Sequence, residues 1–260
     1  MKMLDRPHLV TAKVGQAWLI EGFSLFHRQP LVWFLTLMAY WVGLVLIGSL
    51  PLVGIIVPLL LSPGLSFGFI NLARAIDRKE AAAPTMLISG FRNGQARALL
   101  QLGGAYTLAL AAVLLLASLV GGGELLSMVE KGATEEELIT LQKELPWGLI
   151  VGFLAYIPVM MAFWFAPQLV VWRGLSVPKA IFYSWVSVWL NRGAFLRYGL
   201  AWLLLIIAVS LVISLGIGGL GGNPQLVLLV IMPVSLLLMA IGHGSFYAST
   251  RDIFEERQTD

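Results

Sequence analysis

The sequence has no cysteine, and this absence excludes disulfide bonds, thiolate metal sites and a cysteine nucleophile. Charged side chains are also scarce, because they make up 12% of the 260 residues against 58% for hydrophobic residues. So few polar side chains cannot cover the surface of a soluble protein of this length. The composition therefore indicates a membrane protein.

Six apolar stretches are long enough to cross a bilayer, which takes about 20 helical residues. They lie at residues 31–49, 52–73, 98–120, 147–171, 195–215 and 225–250. The first two are divided by Pro51 and together are too long for one span, so we predict a tight hairpin. The first dozen residues lack the apolar core of a cleavable signal, and we expect none to be removed. The sequence thus predicts one all-α membrane domain over residues 1–260 with six transmembrane helices.

Basic residues fall almost entirely on one side of this threading. All but two of the 17 lie in the N-terminal arm, the second and fourth loops and the C-terminal tail. The exceptions, Lys131 and Lys143, lie in the acidic segment 121–146, where Thr134 to Glu137 predict a capping box that opens a short helix. By the positive-inside rule both termini are cytoplasmic and 121–146 is a periplasmic helical insert. The net charge of +3 thus combines a basic inner side and an acidic outer insert, and we expect no nucleic acid partner.

The chain repeats one pattern three times. An aromatic-bearing lead segment, at residues 18–30, 85–94 and 179–193, precedes each pair of spans. The second span of each pair carries a proline and then ends in an arginine. These residues are Pro58 and Arg74, Pro158 and Arg173, and Pro233 and Arg251. We predict three pseudo-repeated, like-oriented hairpins, each led by an interfacial cytoplasmic helix.

The third lead segment is amphipathic when it is read as a helix. Lys179, Tyr183, Ser187 and Asn191 form a polar stripe, and large apolar residues lie largely opposite. Such helices can contact anionic lipid head groups, or they can simply anchor the bundle and cover its rim. The candidate head-group contacts are Arg28, Arg92, Arg192 and Arg197.

Prolines and polar side chains inside the spans mark further candidate positions. Span two, with two prolines and several small residues, is expected to be the most broken. Kinks at the three repeated prolines can open a cavity between hairpins or be static bends. The polar positions can contact a ligand or hydrogen-bond to neighbouring helices; they are Asn71, Gln101, Gln168 and His243. For the GxxxG pattern of Gly64 and Gly68, we expect packing within the chain.

The remaining polar residues do not form a catalytic or metal-binding pattern. Every Asp and Glu falls outside the six predicted spans, so no carboxylate pair is expected to relay protons or hold an ion in the bilayer. The three histidines lack metal-ligand spacing, and no GxSxG nucleophile motif is present. We therefore expect no enzymatic activity, no metal and no cofactor.

Three boundary segments carry a family resemblance: WLIEGFSLFHRQPLVW at 18–33, ARAIDRKE at 73–80 and YASTRDIF at 247–254. With them, essentially the full chain resembles an uncharacterised family of six-helix inner-membrane proteins from Proteobacteria. This resemblance implies a location and an architecture and brings no function or site residue. A weaker likeness is to the membrane region fused to glycerophosphodiester phosphodiesterases. No phosphodiesterase domain is present here, so that activity does not follow.

Three functional hypotheses remain open for a bacterial inner-membrane protein of this kind. The first is non-enzymatic binding or handling of membrane lipid, with anionic lipid as one alternative, or of another apolar molecule. The second is a structural or assembly role with another membrane protein or a second copy. The third is a channel or transporter for a small solute, although the four polar positions are too few to trace a polar path.

Overall fold

The computed structural model describes residues 7–51, 53–92, 94–121, 147–219 and 224–254, with the backbone alone at 217–219 and 224–228. The regular structure in this part of the chain is helical. In order, its elements are α1 (Val14–Arg28), α2 (Pro30–Gly48), α3 (Ile56–Asp77), the 3-10 helix η1 (Pro84–Ile88), α4 (Ser89–Arg92), α5 (Ala96–Val120), α6 (Trp147–Phe163), α7 (Ala166–Arg173), α8 (Val177–Leu190), α9 (Arg192–Gly219) and α10 (Pro224–Phe254). The predicted insert falls outside the described residues, except for Gly121.

The prediction of six membrane spans is confirmed. The helices long and apolar enough to cross a membrane are α2, α3, α5, α6 continued by α7, α9 and α10. α3 runs past its apolar stretch to Asp77, and α10 runs past its own to Phe254. Asp77 and Asp252 lie in these added helix ends and remain outside the predicted apolar stretches. Each of the two carboxylates pairs with an arginine there, and this pairing offsets the free-energy cost of burying its charge.

The second spans of the three pairs meet in the centre of the bundle, toward the end where their terminal arginines lie; we call this the basic end. Aromatic rings join them there. The ring centroids are 5.5 Å apart between Phe67 and Trp172, 4.1 Å between Trp164 and Phe246, and 4.1 Å between Phe69 and His243. The packed core thus lies in the basic half of α3, α7 and α10.

Each lead segment packs on a pair of spans. α1 lies against α9 and α10, η1 and α4 lie against α2 and α3, and α8 lies against span four (α6 and α7) and α5. Backbones approach closely at these contacts: a Cβ at Gly22 of α1 would overlap the carbonyl oxygen of Ile241. Likewise, a Cβ at Gly64 or Gly68 would overlap Phe91 or Leu87, which confirms that this GxxxG pair packs within the chain.

The main break in the spans lies in span four, and the expectation that span two is the most broken is wrong. α3 is continuous: Pro58 falls in its first turn, where a backbone N–H is not needed, and the helix continues past Pro63 in its interior. The path of span four breaks at Trp164 and Phe165, ahead of Pro167. Pro167 cannot donate to the carbonyl of residue 163, and its ring crowds that carbonyl.

A serine from α8 bridges this break. Phe165 N–H donates to Ser184 Oγ at 2.9 Å, and Ser184 Oγ donates to the carbonyl of Met161 at 2.8 Å. Those two backbone groups would pair directly in an unbroken helix. The Ser184 hydroxyl is thus inserted into the hydrogen-bond ladder of span four and satisfies both groups in the protein interior.

The side of α8 that faces the rest of the protein carries small and polar residues. Ala180, Ser184, Ser187 and Asn191 are buried, whereas Trp185 and Trp189 are exposed. The predicted polar stripe is therefore only partly on the outer surface, since Ser187 and Asn191 face inward. Small side chains permit close helix approach, and the large apolar ones are left to face the surroundings of the bundle.

Candidate functional site

The four polar positions predicted inside the spans have separate surroundings. Asn71 donates to Ser89 Oγ at 3.2 Å, and Gln168 donates to Thr250 Oγ1 at 3.4 Å. His243 Nδ1 lies 2.9 Å from the carbonyl oxygen of its own helix residue Met239, while its ring packs on Phe69. Gln101 is exposed. The structure thus places three of them in individual helix contacts and does not gather the four into one polar cluster.

The three repeated prolines also differ from one another. Pro58 is half-buried, whereas Pro158 and Pro233 are exposed. Pro158 lies inside α6 and Pro233 inside α10, and both helices continue past them. Two of the three therefore face outward and do not line a shared interior space.

An ionic cluster, which the sequence patterns did not indicate, joins α1, α3 and α10 at the basic end. Its centre is Asp77, which accepts hydrogen bonds from Arg28 Nη1 at 3.3 Å, Arg251 Nη1 at 3.0 Å and Tyr247 Oη at 2.9 Å. Glu21 lies 3.6 Å from Arg251 and 3.8 Å from Arg28. The cluster ties the first lead helix to two second spans, and the charge of Arg28 is offset by two carboxylates.

Other contacts fix the same lead helix to the last span. Trp18 of α1 is buried and its indole Nε1 donates to Asp252 at 3.0 Å. Upstream, Asn191 accepts from Val10 N–H at 2.9 Å and donates to the carbonyl of His8 at 3.2 Å. The start of the described chain is thus held by Asn191, just before α9, and by Asp252, at the end of α10.

The terminal arginines of the second spans form a cyclic set of contacts. Arg74 of α3 lies over the Trp172 ring of α7, 4.7 Å from its centroid. Arg173 of α7 donates to the carbonyl of Phe254 in α10 at 2.6 Å, and Arg251 of α10 pairs with Asp77 of α3. Each second span therefore reaches the next one, in the order two, four, six and back to two.

All four candidate head-group arginines are exposed, and three of them lie outside the ionic cluster. These three are Arg92 at the end of α4, and Arg192 and Arg197 in the first turns of α9. Arg192 lies 5.7 Å from the centroid of the Trp189 ring and donates to the Trp189 carbonyl at 3.3 Å. Trp189 stacks in parallel on Trp185 with centroids 5.7 Å apart, and the two rings are 51% and 38% exposed. The result is an exposed aromatic and cationic surface at the corner of α8 and α9.

The described residues contain no group of three or more His, Cys, Asp or Glu side chains arranged to hold a metal ion. The chemistry available at the exposed surface is charge attraction, hydrogen bonding by guanidinium groups and apolar contact.

Six apolar helices with exposed apolar sides define a multi-pass membrane protein. The chain is 38% identical over 251 residues to a probable inner membrane protein of Burkholderia thailandensis, with 94% of this chain and 92% of that protein covered. It therefore belongs to the same family and is an integral inner-membrane protein. No family model and no solved structure matches it. The resemblance to inner-membrane proteins is thus supported, and no link to glycerophosphodiester phosphodiesterases is shown.

Proposed function

We propose that this protein binds membrane lipid, or a similarly apolar molecule, without catalysing a reaction. The observation that carries the proposal is the set of exposed aromatic side chains on two of the lead helices. It comprises Phe23 of α1 and Phe182, Trp185 and Trp189 of α8. Aromatic rings with exposed arginines beside them are the side chains that favour the boundary between acyl chains and head groups.

The proposed arrangement in the membrane is a threefold pseudo-repeat with both termini cytoplasmic. Two cyclic patterns support it: each lead segment packs on one pair of spans, and each second span contacts the next through its terminal arginine. The first lead helix, α1, packs on the last pair and closes the ring. This arrangement puts all three lead segments at the basic end, which the positive-inside rule assigns to the cytoplasmic leaflet.

The central packing favours lipid binding over conduction. Rings from α3, α7 and α10 fill the middle of the basic half, and the polar residues Asn71, Gln168 and His243 make local contacts there. A channel needs a continuous polar or water-filled path through this region. The exposed outer surface is instead the part of the molecule that offers room for a ligand.

Lipid retention tests this proposal. The full chain would be extracted in a mild detergent, exchanged extensively into lipid-free detergent and analysed for bound lipid, beside an unrelated six-helix protein treated identically. We expect at least one lipid class to remain in stoichiometric amount on this protein alone. Complete loss of lipid, or the same retained mixture on the control, would refute the proposal.

A second candidate function, an assembly role, rests on the outer half of α9. From Leu203 to Gly216 nearly all side chains are exposed, and the partly buried ones recur only at Leu205, Val209 and Ile213. A spanning helix with so little packing in its own chain has a free face for another membrane protein or a second copy. Photo-crosslinking from position 207 in native membranes tests this role; adducts with lipid alone would count against it.

A further inference from the structure

We propose that the corner of α8 and α9 is a binding site for an anionic phospholipid, with its phosphate at Arg192 and Arg197 and an acyl chain along α9. This inference rests on the proposed lipid-binding function and adds a ligand class and a location. The occupant follows from the charge, the geometry and the apolar surface of this corner.

The charge of the corner favours a negative ligand. The sequence has no Asp or Glu between Glu144 and Asp252, so α8 and α9 contain no acidic side chain. Arg192 and Arg197 are exposed, and neither forms an ion pair among the residues that the structure describes. Arg28, by contrast, lies against Asp77 and Glu21. Unlike Arg28, the α9 pair therefore carries positive charge that an anion can neutralise.

The Arg192 guanidinium is also held in place. It lies over the Trp189 ring, and one of its nitrogens donates to the Trp189 carbonyl, while Trp185 stacks on the same ring. A guanidinium has five N–H donors, so this contact leaves others for phosphate oxygens. A fixed guanidinium loses less conformational freedom on binding than a mobile one, which favours selective recognition.

An apolar stripe leads from these arginines along the lipid-facing side of α9. Its members are Leu196, Leu200, Leu203, Ile207 and Leu211, each between 47% and 73% exposed. At about 100° per residue they fall within a sector of about 80°. They cover about 22 Å along the helix, more than the roughly 15 Å of hydrocarbon in one leaflet. One acyl chain can therefore contact the helix over its full depth while its phosphate stays at the arginines.

Native mass spectrometry with defined lipids tests the site. The full chain in detergent would be offered equal amounts of phosphatidylglycerol and phosphatidylethanolamine, and the ratio of the two bound lipids measured. The test variant is Arg192→Gln with Arg197→Gln. The matched control is Lys79→Gln with Arg97→Gln, which removes two exposed basic side chains, one just after α3 and one at the start of α5. Thermal unfolding of each variant would establish that it is folded.

We expect wild type to prefer phosphatidylglycerol and the test variant to lose that preference. An arginine near an anionic surface contributes about 1 kcal/mol, so the ratio should fall about fivefold for each arginine removed. The control should change it less than twofold, and Trp189→Leu, which removes the ring under Arg192, should lower it in part.

The outcomes separate this inference from the function on which it rests. If wild type retains no lipid, the proposed function fails. Three results would refute the site and leave lipid binding intact. Wild type could retain lipid without preference, the test variant could keep the wild-type lipid ratio, or the control variant could lose the preference as much as the test variant does. If the test variant does not fold, Trp189→Leu and the single variant Arg197→Gln give the same comparison.

Discussion

Replacing Ser184 with alanine should destabilise the protein through the break in span four. The Ser184 hydroxyl accepts from Phe165 N–H and donates to the Met161 carbonyl, and its side chain is fully buried. The substitution Ser184→Ala removes both bonds and changes little else, because alanine differs only by the hydroxyl. The perturbation therefore isolates the satisfaction of two backbone groups.

The magnitude follows from those two groups. A buried polar group left without a partner costs about 1–3 kcal/mol, so two cost about 2–6 kcal/mol. Direct closure of the Phe165 to Met161 bond would relieve this cost. Pro167 opposes closure, since its ring crowds the carbonyl of residue 163 and keeps the segment bent. We therefore expect a loss of about 2–6 kcal/mol in the free energy of unfolding.

The assay is equilibrium unfolding in mixed micelles, combined with hydrogen exchange of the Phe165 amide. Ser187→Ala is the matched control, because within the described part of the chain Ser187 Oγ bonds only to the Tyr183 carbonyl of its own helix, at 2.6 Å. The control should lose less than about 1.5 kcal/mol. Equal losses in the two variants, or an unchanged exchange rate at Phe165 in Ser184→Ala, would refute the inserted role of this hydroxyl.

Three further predictions concern the docking of α1. Asp77→Asn weakens the contacts to Arg28 and Arg251 and should lower the free energy of unfolding by about 1–3 kcal/mol. The control Glu80→Gln, at an exposed position, should leave it nearly unchanged. Similar losses in both variants would contradict the ionic cluster. Gly22→Ala should lower the free energy of unfolding by about 1–3 kcal/mol, because the added Cβ overlaps the Ile241 carbonyl and this outweighs the helix propensity of alanine. The control Gly199→Ala, where the Cβ meets open space, should be neutral or stabilising. Unfolding curves that rank the two variants the other way would disprove the close approach. Trp18→Phe keeps an aromatic ring but loses the bond to Asp252, and a cost of about 0.5–1.5 kcal/mol is expected in the same assay; no measurable change would argue against that bond.

The spans could be predicted from the sequence because hydrocarbon imposes one strong rule. A chain in lipid must satisfy its own backbone, so a long apolar run becomes a helix whatever its neighbours are. The apolar runs located all six spans, and the grouping of basic residues marked the end of the bundle at which Arg28, Arg74, Arg173 and Arg251 meet. These features depend on local composition.

The ionic cluster could not be predicted in the same way. Glu21, Asp77 and Arg251 come from three distant parts of the chain, and no local spacing links them. The available signal was indirect: Asp77 and Asp252 each closely follow an apolar run beside an arginine, where a helix can continue past the hydrocarbon. The sequence also did not show that Ser184 would bridge a break in another helix, because that contact depends on tertiary packing.

The inner face of α8 illustrates a third limit. Amphipathic patterns identify two faces of a helix, but they do not say which one meets the protein. In a soluble protein the large apolar face would be buried. Here Ser184 and Ser187 face inward and Trp185 and Trp189 face outward, because lipid accepts the rings and small side chains let the helices approach.

Single-cysteine labelling of intact cells tests the central claim, that three like-oriented pairs of spans leave their lead segments and arginines in the cytoplasm. The natural chain has no cysteine, so each introduced thiol is the only one present. With a membrane-impermeant maleimide, Leu50→Cys should react from outside, whereas Ser176→Cys should react only after the inner membrane is permeabilised. Labelling of Ser176→Cys in intact cells, with Leu50→Cys protected, would contradict the orientation and the cytoplasmic-leaflet lipid site built on it.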